Sequence, residues 1–187
     1  RVWETPKAGS LANLVQKQRP LPPLSAGHVR VQVHAVGLNF ADIFALTGLY
    51  SATPEGAFTP GLEFAGTVID TGTDSDNTDS PFQVGDRVMG VTRFGGYCSI
   101  IDSEPDYLVP LPDDWSFAQG AAFPAQTLTA WYALTTLGAI QPEQRVLIHS
   151  AAGGVGLQAM KLTTLLGANP VGTVGSSDKA AMLQGIG

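Results

Sequence analysis

The residues of this chain best suited to chemistry form the run Ala151-Ala152-Gly153-Gly154-Val155-Gly156. An A-x-G-x-x-G turn can cradle a pyrophosphate. Its first position serves the tight turn, and alanine is tolerated there only if the local φ permits. Gly153 lets the backbone approach the phosphates, and Gly156 lets the next helix pack closely on a sheet. Ala152, Gly153, Gly154 and Val155 are therefore candidate cofactor contacts. The same glycines would suit a turn in some other α/β protein, so context decides. A short apolar run (Val146, Leu147, Ile148) precedes the turn, and a helix-compatible stretch ending at Gly167 follows it. Together they give the strand–turn–helix order of a dinucleotide fingerprint.

The next apolar run says which dinucleotide. Sites for NAD carry an acidic residue about 20 positions on, bonding the ribose hydroxyls. Counting from Gly156 reaches Val174-Gly175-Ser176, without a carboxylate, and Ser177 and Lys179 follow. Hydroxyls, a helix N-terminus and an ammonium suit a 2′-phosphate. Gly175, Ser176 and Lys179 thus join the candidate cofactor residues, and NADP(H) is the expected cofactor. Asp178 reads as an early helical residue facing solvent. An ordinary cap at Ser177 and a solvated lysine are the alternative.

The elements that must hold this turn follow from patterning. Leu11 to Gln16 reads as a strand, and Pro20, Pro22 and Pro23 then interrupt regular structure. From His28 onward Val29, Val31, Val33 and Ala35 alternate with Arg30, Gln32 and His34, the period of a half-buried strand that Gly37 ends. Asn39 can cap a short helix with Asp42 in its first turn and Gly48 as its stop. Further strands are expected over Glu63 to Ile69, after Val84-Gly85-Asp86-Arg87-Val88, over Tyr97 to Ile101 and over Tyr107 to Val109. A β-rich first domain over residues 1–115, a barrel or sandwich, is the reading. Ser116 and Gln119 have capping-box spacing. A helical run from Ala125 to Leu137, stopped by Gly138, leads through Pro142 into the βαβ unit. The second domain, residues 116–187, reads as the first part of a Rossmann sheet, because only the start of another helix remains after Gly175. The chain opens on Arg1 rather than Met, and the expectation is an N-terminal portion of a longer enzyme.

Composition excludes several classes. Hydrophobic content of 44% against 14% charged supplies a core and argues against disorder. A net charge of −6 with scattered lysines and arginines offers no surface for nucleic acid. Cys98 is the only cysteine, so neither an intrachain disulfide nor a multi-thiolate metal site can form. No apolar run approaches the roughly 20 residues of a membrane-spanning helix, and no signal-peptide pattern opens the chain. A cytoplasmic setting is the default. Asp74, Asp76 and Asp79 invite a calcium-loop reading, but an EF-hand starting at Asp74 needs glycine sixth and glutamate twelfth, where Asp79 and Gly85 stand. A solvated acidic loop is expected.

With these residues placed, the chain resembles the zinc-independent quinone oxidoreductase branch of the medium-chain dehydrogenase/reductase superfamily. Six ordered blocks carry the resemblance: Ala35-Val36-Gly37-Leu38-Asn39-Phe40-Ala41-Asp42, Thr47-Gly48-Leu49-Tyr50, Pro60-Gly61-Leu62-Glu63-Phe64-Ala65-Gly66, Val84 to Val88, Leu128-Thr129-Ala130-Trp131 and Ala151 to Gly156. The Arg93-Phe94-Gly95-Gly96-Tyr97 stretch is also similar to a vesicle-membrane-protein subgroup. The resemblance implies an α/β chain with a GroES-like domain followed by an incomplete Rossmann domain, the active site lying between them. It implies hydride transfer from reduced nicotinamide to a small-molecule quinone or α,β-unsaturated carbonyl (an enone), and a homo-oligomer at full length. Asn39 and Leu62 stand where zinc-dependent members have cysteine and histidine, so no zinc is expected. His28, His34 and His149 read as structural. By the same resemblance Asn39 lies near nicotinamide and substrate, Tyr50 contacts substrate or cofactor, and Thr129 contacts the nicotinamide end. Asn39 as a mere helix cap and Tyr50 as a packed aromatic are the alternatives. Phe44 falls where some relatives carry a tyrosine, which weakens tyrosine-assisted proton delivery. A non-catalytic NADPH-binding structural or membrane-associated protein on this fold is the rival function.

Overall fold

The structure is a computed structural model that describes residues 1–72 and 80–185. The aspartates at 74, 76 and 79 lie outside them. The chain divides into two compact units, Arg1–Pro124 and Ala125–Gly187.

The first unit opens with β1 (Val2–Glu4), paired antiparallel with β2 (Val15–Lys17). The strand expected from Leu11 starts late because the Ser10 hydroxyl accepts the Ala12 N–H at 3.2 Å and caps a 3-10 turn over Leu11–Asn13. Next come β3 (Val29–Val36), helix α1 (Phe40–Thr47), β4 (Glu63–Thr71), β5 (Arg87–Val91), β6 (Ile100–Ser103) and β7 (Leu108–Pro110). Strands β3 to β7 form one antiparallel sheet in the order β6-β3-β4-β5-β7. Two expected strands lose their first residues. Cys98 makes only an isolated bridge to Val2, so β6 begins at Ile100. Pro105 begins a 3-10 turn that holds Tyr107 out of β7.

Val29, Val31, Phe64, Val68, Val88 and Leu108 bury their side chains together as the sheet's core. One alternation fails. Arg30, expected on the polar face, is buried, because its guanidinium meets both oxygens of its register partner Asp102 at 2.7 and 2.8 Å and the Pro22 carbonyl at 2.7 Å. A guanidinium paired with a carboxylate can leave water where an unpaired one cannot.

Helix α2 (Phe117–Ala121) starts as the sequence suggests. The Gln119 N–H donates to the Ser116 hydroxyl at 3.2 Å, and the Ser116 N–H donates to the Gln119 side chain at 2.8 Å. The helix packs on the β unit: Ala121 joins Ala65, Met89 and Leu111, and a Cβ on Gly120 would lie 2.4 Å from Leu111. The compact units divide after Pro124, and the change of sequence pattern at Ser116 falls inside the first of them.

The second unit opens one residue into α3 (Pro124–Trp131), which runs into a π-helical turn over Tyr132–Leu137. The Gly138 N–H bonds the Ala133 carbonyl at 2.8 Å, and that five-residue step closes the helix. Strand β8 (Arg145–Ile148), helix α4 (Gly154–Leu165) and strand β9 (Asn169–Gly172) form the βαβ unit, with Arg145 opposite Asn169 and Ile148 opposite Gly172 in parallel register. Ile148, Ala151 and Ala159 pack with Ala130 and Leu134 beneath it. Helix α5 (Ser177–Gln184) follows.

Candidate functional site

In the second unit the glycine turn is shaped by contacts that exclude side chains. Ile148 leaves β8 through Ser150, whose φ of 53° puts a non-glycine residue in the left-handed region. That residue makes the turn, so Ala151 needs no positive φ and the alanine at the first fingerprint position is accommodated. A Cβ on Gly156 would lie 2.3 Å from the Ser150 carbonyl oxygen and 2.7 Å from the Ala151 Cα. Only glycine lets α4 start this close to the strand. The N-cap of α4 is Gly153, and a Cβ there would meet only the Ser150 carbonyl, at 3.2 Å, with the other side open. Ala152 is half-buried, and Gly153, Gly154 and Val155 are exposed. The N–H groups of the first turn of α4 have no intrahelical partners and carry the positive end of the helix dipole, which suits an anion.

Gly154 has a different reason. Its Cβ position is filled by the Gln126 carboxamide of α3, with the nearest atoms at 2.5 to 2.7 Å. Sequence reasoning missed Gln126, and no spacing pattern marks it. Thr129 lies on the same helix, exposed, its hydroxyl donating to the Ala125 carbonyl at 2.6 Å. Its proton is committed, so what it offers a ligand is its oxygen, an acceptor.

Gly175 has open space around its Cβ position. The cap of α5 is Ser176 rather than Ser177: its hydroxyl accepts the Lys179 N–H at 3.4 Å. The Ser176 O–H proton stays available for a further acceptor. Lys179 is exposed one turn along. A phosphate at this end of α5 would meet a hydroxyl, a helix N-terminus and an ammonium. The donor set fits such a group.

In the first unit Asn39 is the N-cap of α1, with extended backbone at φ −120° and ψ 150°. Its backbone N–H donates to the Asp42 carboxylate at 2.9 Å, and its side-chain Nδ2 donates to Glu63 Oε1 at 2.9 Å. Asp42, 2% exposed, also accepts the Gly61 N–H at 3.0 Å and the Tyr97 hydroxyl at 3.1 Å. Burial, then the charge and hydrogen bond of Asp42 and the charge of Glu63, raise the Tyr97 pKa well above its ordinary value. Tyr97 is held as a neutral donor. Beside it, burial pushes the Cys98 thiol up to about 11, so it is a thiol rather than a nucleophilic thiolate near neutral pH.

Glu63 has no exposed surface, and Gly37 makes room for it: a Cβ on Gly37 would lie 2.1 Å from Glu63 Oε1. In the sequence Glu63 is marked only as a carboxylate at the head of an apolar strand. Tyr50 packs against the Ala45–Leu46–Phe58 cluster. His34 bonds the Thr67 hydroxyl at 3.1 Å, and His149 bonds that of Thr173 at 3.0 Å. Among the described residues no three His, Cys, Asp or Glu side chains gather as a metal would require, and no helix is long and apolar enough to cross a membrane.

Known proteins match this arrangement. The pattern of the alcohol dehydrogenase GroES-like domain matches residues 25–133. The phenolphthiocerol synthesis polyketide synthase Pks15/1 of Mycobacterium marinum is 43% identical over 156 residues, 82% of this chain and 7% of that protein. Among solved structures, the CurK enoyl reductase superposes with a TM-score of 0.86 at 36% identity, covering 99% of this chain and 57% of that one. Escherichia coli quinone oxidoreductase complexed with NADPH gives 0.87 at 33% identity, covering 100% and 56%. The chain thus spans little more than half of the solved chains and a small part of the polyketide synthase.

Proposed function

The chain belongs to the family of alcohol dehydrogenase GroES-like domains, within the quinone oxidoreductase and enoyl reductase branch of the medium-chain dehydrogenases/reductases, and from that premise we propose that it works in an NADPH-dependent reduction of an electron-poor carbon–carbon double bond or quinone, without zinc. The observation that carries this reading is the glycine turn: Gly156 brings α4 within a Cβ's breadth of Ser150, while Gly153 leaves its outer side clear for a ligand.

Bound NADPH would supply the hydride. The first-turn N–H groups of α4 would hold its pyrophosphate, and Ser176 and Lys179 its 2′-phosphate. The Thr129 oxygen and the Asn39 amide would bond the nicotinamide end. Asn39 and Leu62 cannot act as a zinc-ligand pair, so the acceptor must already be activated by conjugation. It takes hydride at the β-carbon, and its carbonyl oxygen carries the developing charge until a proton reaches the α-carbon. Catalysis then rests on positioning and on hydrogen bonds to that oxygen. Tyr50 is proposed at the substrate side, against the Ala45 cluster.

Likeness to a polyketide synthase and to an enoyl reductase favours one acceptor class, an α,β-unsaturated acyl thioester. NADPH consumption by the full-length protein with a quinone panel and an enoyl-thioester panel tests the reading. Turnover on thioesters alone would select that class, and turnover on quinones alone would reject it. NADPH binding without turnover on either panel would overturn the reductase reading in favour of a non-catalytic binding protein.

A further inference from the structure

We propose that Glu63 is a positioning residue that decides which end of the Asn39 amide faces the ligand, a proposal that rests on the reading of Asn39 as a contact at the nicotinamide end. The two ends of a carboxamide have nearly the same shape and opposite hydrogen-bonding character, so its neighbours choose between them. Glu63 meets Asn39 across 2.9 Å. The amide end turned to the carboxyl is the nitrogen, with Nδ2 donating and Oε1 accepting. The oxygen is turned away and is what Asn39 presents, an acceptor matched to an N–H or O–H of the bound cofactor or substrate.

Three features make the arrangement firm. Glu63 is fully buried, so breaking its bond to Asn39 would leave part of a carboxylate's hydrogen-bonding capacity unmet away from water, which is costly. Its side chain fills the space beside Gly37, which a single methyl group would overlap, so it cannot swing that way. The Asn39 backbone is independently fixed by Asp42. With main chain and amide nitrogen both held, the amide oxygen has one place to be.

The test uses Glu63→Gln, Asn39→Asp and the double variant in the full-length protein. A carboxamide at position 63 can either accept or donate, so in Glu63→Gln the amide of Asn39 loses its enforced orientation, and kcat/KM with the best acceptor is expected to fall about 10- to 100-fold. Asn39→Asp alone sets two carboxylates together and is expected to fall at least as far. In the double variant the carboxamide nitrogen at position 63 donates to the carboxylate at position 39, whose second oxygen again faces the ligand, and most of the loss is recovered. A purely structural role for Glu63 predicts no such recovery. A folded double variant no better than Glu63→Gln, or an unchanged Glu63→Gln enzyme, overturns the proposal. Should Glu63→Gln fail to fold, the double variant carries the test by the same criteria, with Asn39→Asp as its reference. If the wild type turns over no acceptor, the reductase reading fails, and NADPH affinity across the series decides positioning on its own: weakening in Glu63→Gln with recovery in the double variant supports it, and no change overturns it.

Discussion

A Cβ placed on Gly37 would lie 2.1 Å from Oε1 of Glu63 and 2.4 Å from its Cγ, so the end of β3 and the buried carboxylate at the head of β4 are fitted to each other. Gly37→Ala must displace either Glu63 or the backbone. It is expected to cost about 1–3 kcal/mol of unfolding free energy, measured by urea denaturation. It should also weaken NADPH binding, because Asn39 moves with Glu63.

Two glycines of one turn should respond differently to the same methyl group. Gly156→Ala puts a Cβ 2.3 Å from the Ser150 carbonyl, so the turn cannot close, and loss of about 3 kcal/mol with loss of NADPH binding is expected. Gly153→Ala meets only a 3.2 Å contact. It should keep its melting temperature within a few degrees yet lose about tenfold in NADPH affinity, or about 1.4 kcal/mol. Melting curves and fluorescence titration on both variants separate folding from binding.

Lys179→Met removes the ammonium beside the α5 N-terminus. Loss of a charge-assisted hydrogen bond, worth about 1.5–3 kcal/mol, should weaken NADPH by about tenfold or more while leaving NADH affinity unchanged. Ser176→Ala removes a cap as well, so it should also lower stability by about 1 kcal/mol. Equal losses for the two cofactors in Lys179→Met would place the 2′-phosphate elsewhere.

Alkaline stability follows from Cys98 and Tyr97. Burial raises the Cys98 thiol from 9.0 to about 11, and Tyr97 is raised from 10.0. Between the unfolded and folded values the native state holds the proton that the unfolded chain has released, so stability falls as pH rises. Melting temperature should hold below pH 9 and decline from about 9 to 11 through Cys98, with Tyr97 adding to the fall above 10. Cys98→Ala should remove the earlier part of the decline.

Sequence reasoning succeeded where the controlling contacts are local. The Gly156 packing role and the Ser116–Gln119 box lie within a few residues of their partners, and the βαβ unit shows in the unbroken order of its own segments. It failed where the partner is far along the chain. Arg30 looked like a polar-face residue because Asp102, 72 residues away, is invisible to a period-two pattern. The Asn39–Glu63 bond spans 24 residues and depends on Gly37 having no side chain, a three-way fit that no spacing rule encodes. Gln126 is absent from any motif because its partner is a space left by Gly154. The 3-10 turn at Leu11–Asn13 was lost to a local competition that Ser10 decides.

The Asp42 carboxylate carries a consequence for motion. It takes hydrogens from the start of α1, from the turn at Gly61 and from the Tyr97 ring, three pieces that would otherwise be free to loosen separately. Sharing one acceptor makes them a single opening unit, since releasing any donor strips charge-assisted bonding from a buried group. Fraying of the helix cap that presents Asn39 takes a donor from the same buried carboxylate that holds the turn and the ring. Its precision is therefore guarded by an acceptor that two other pieces of the chain also keep in place.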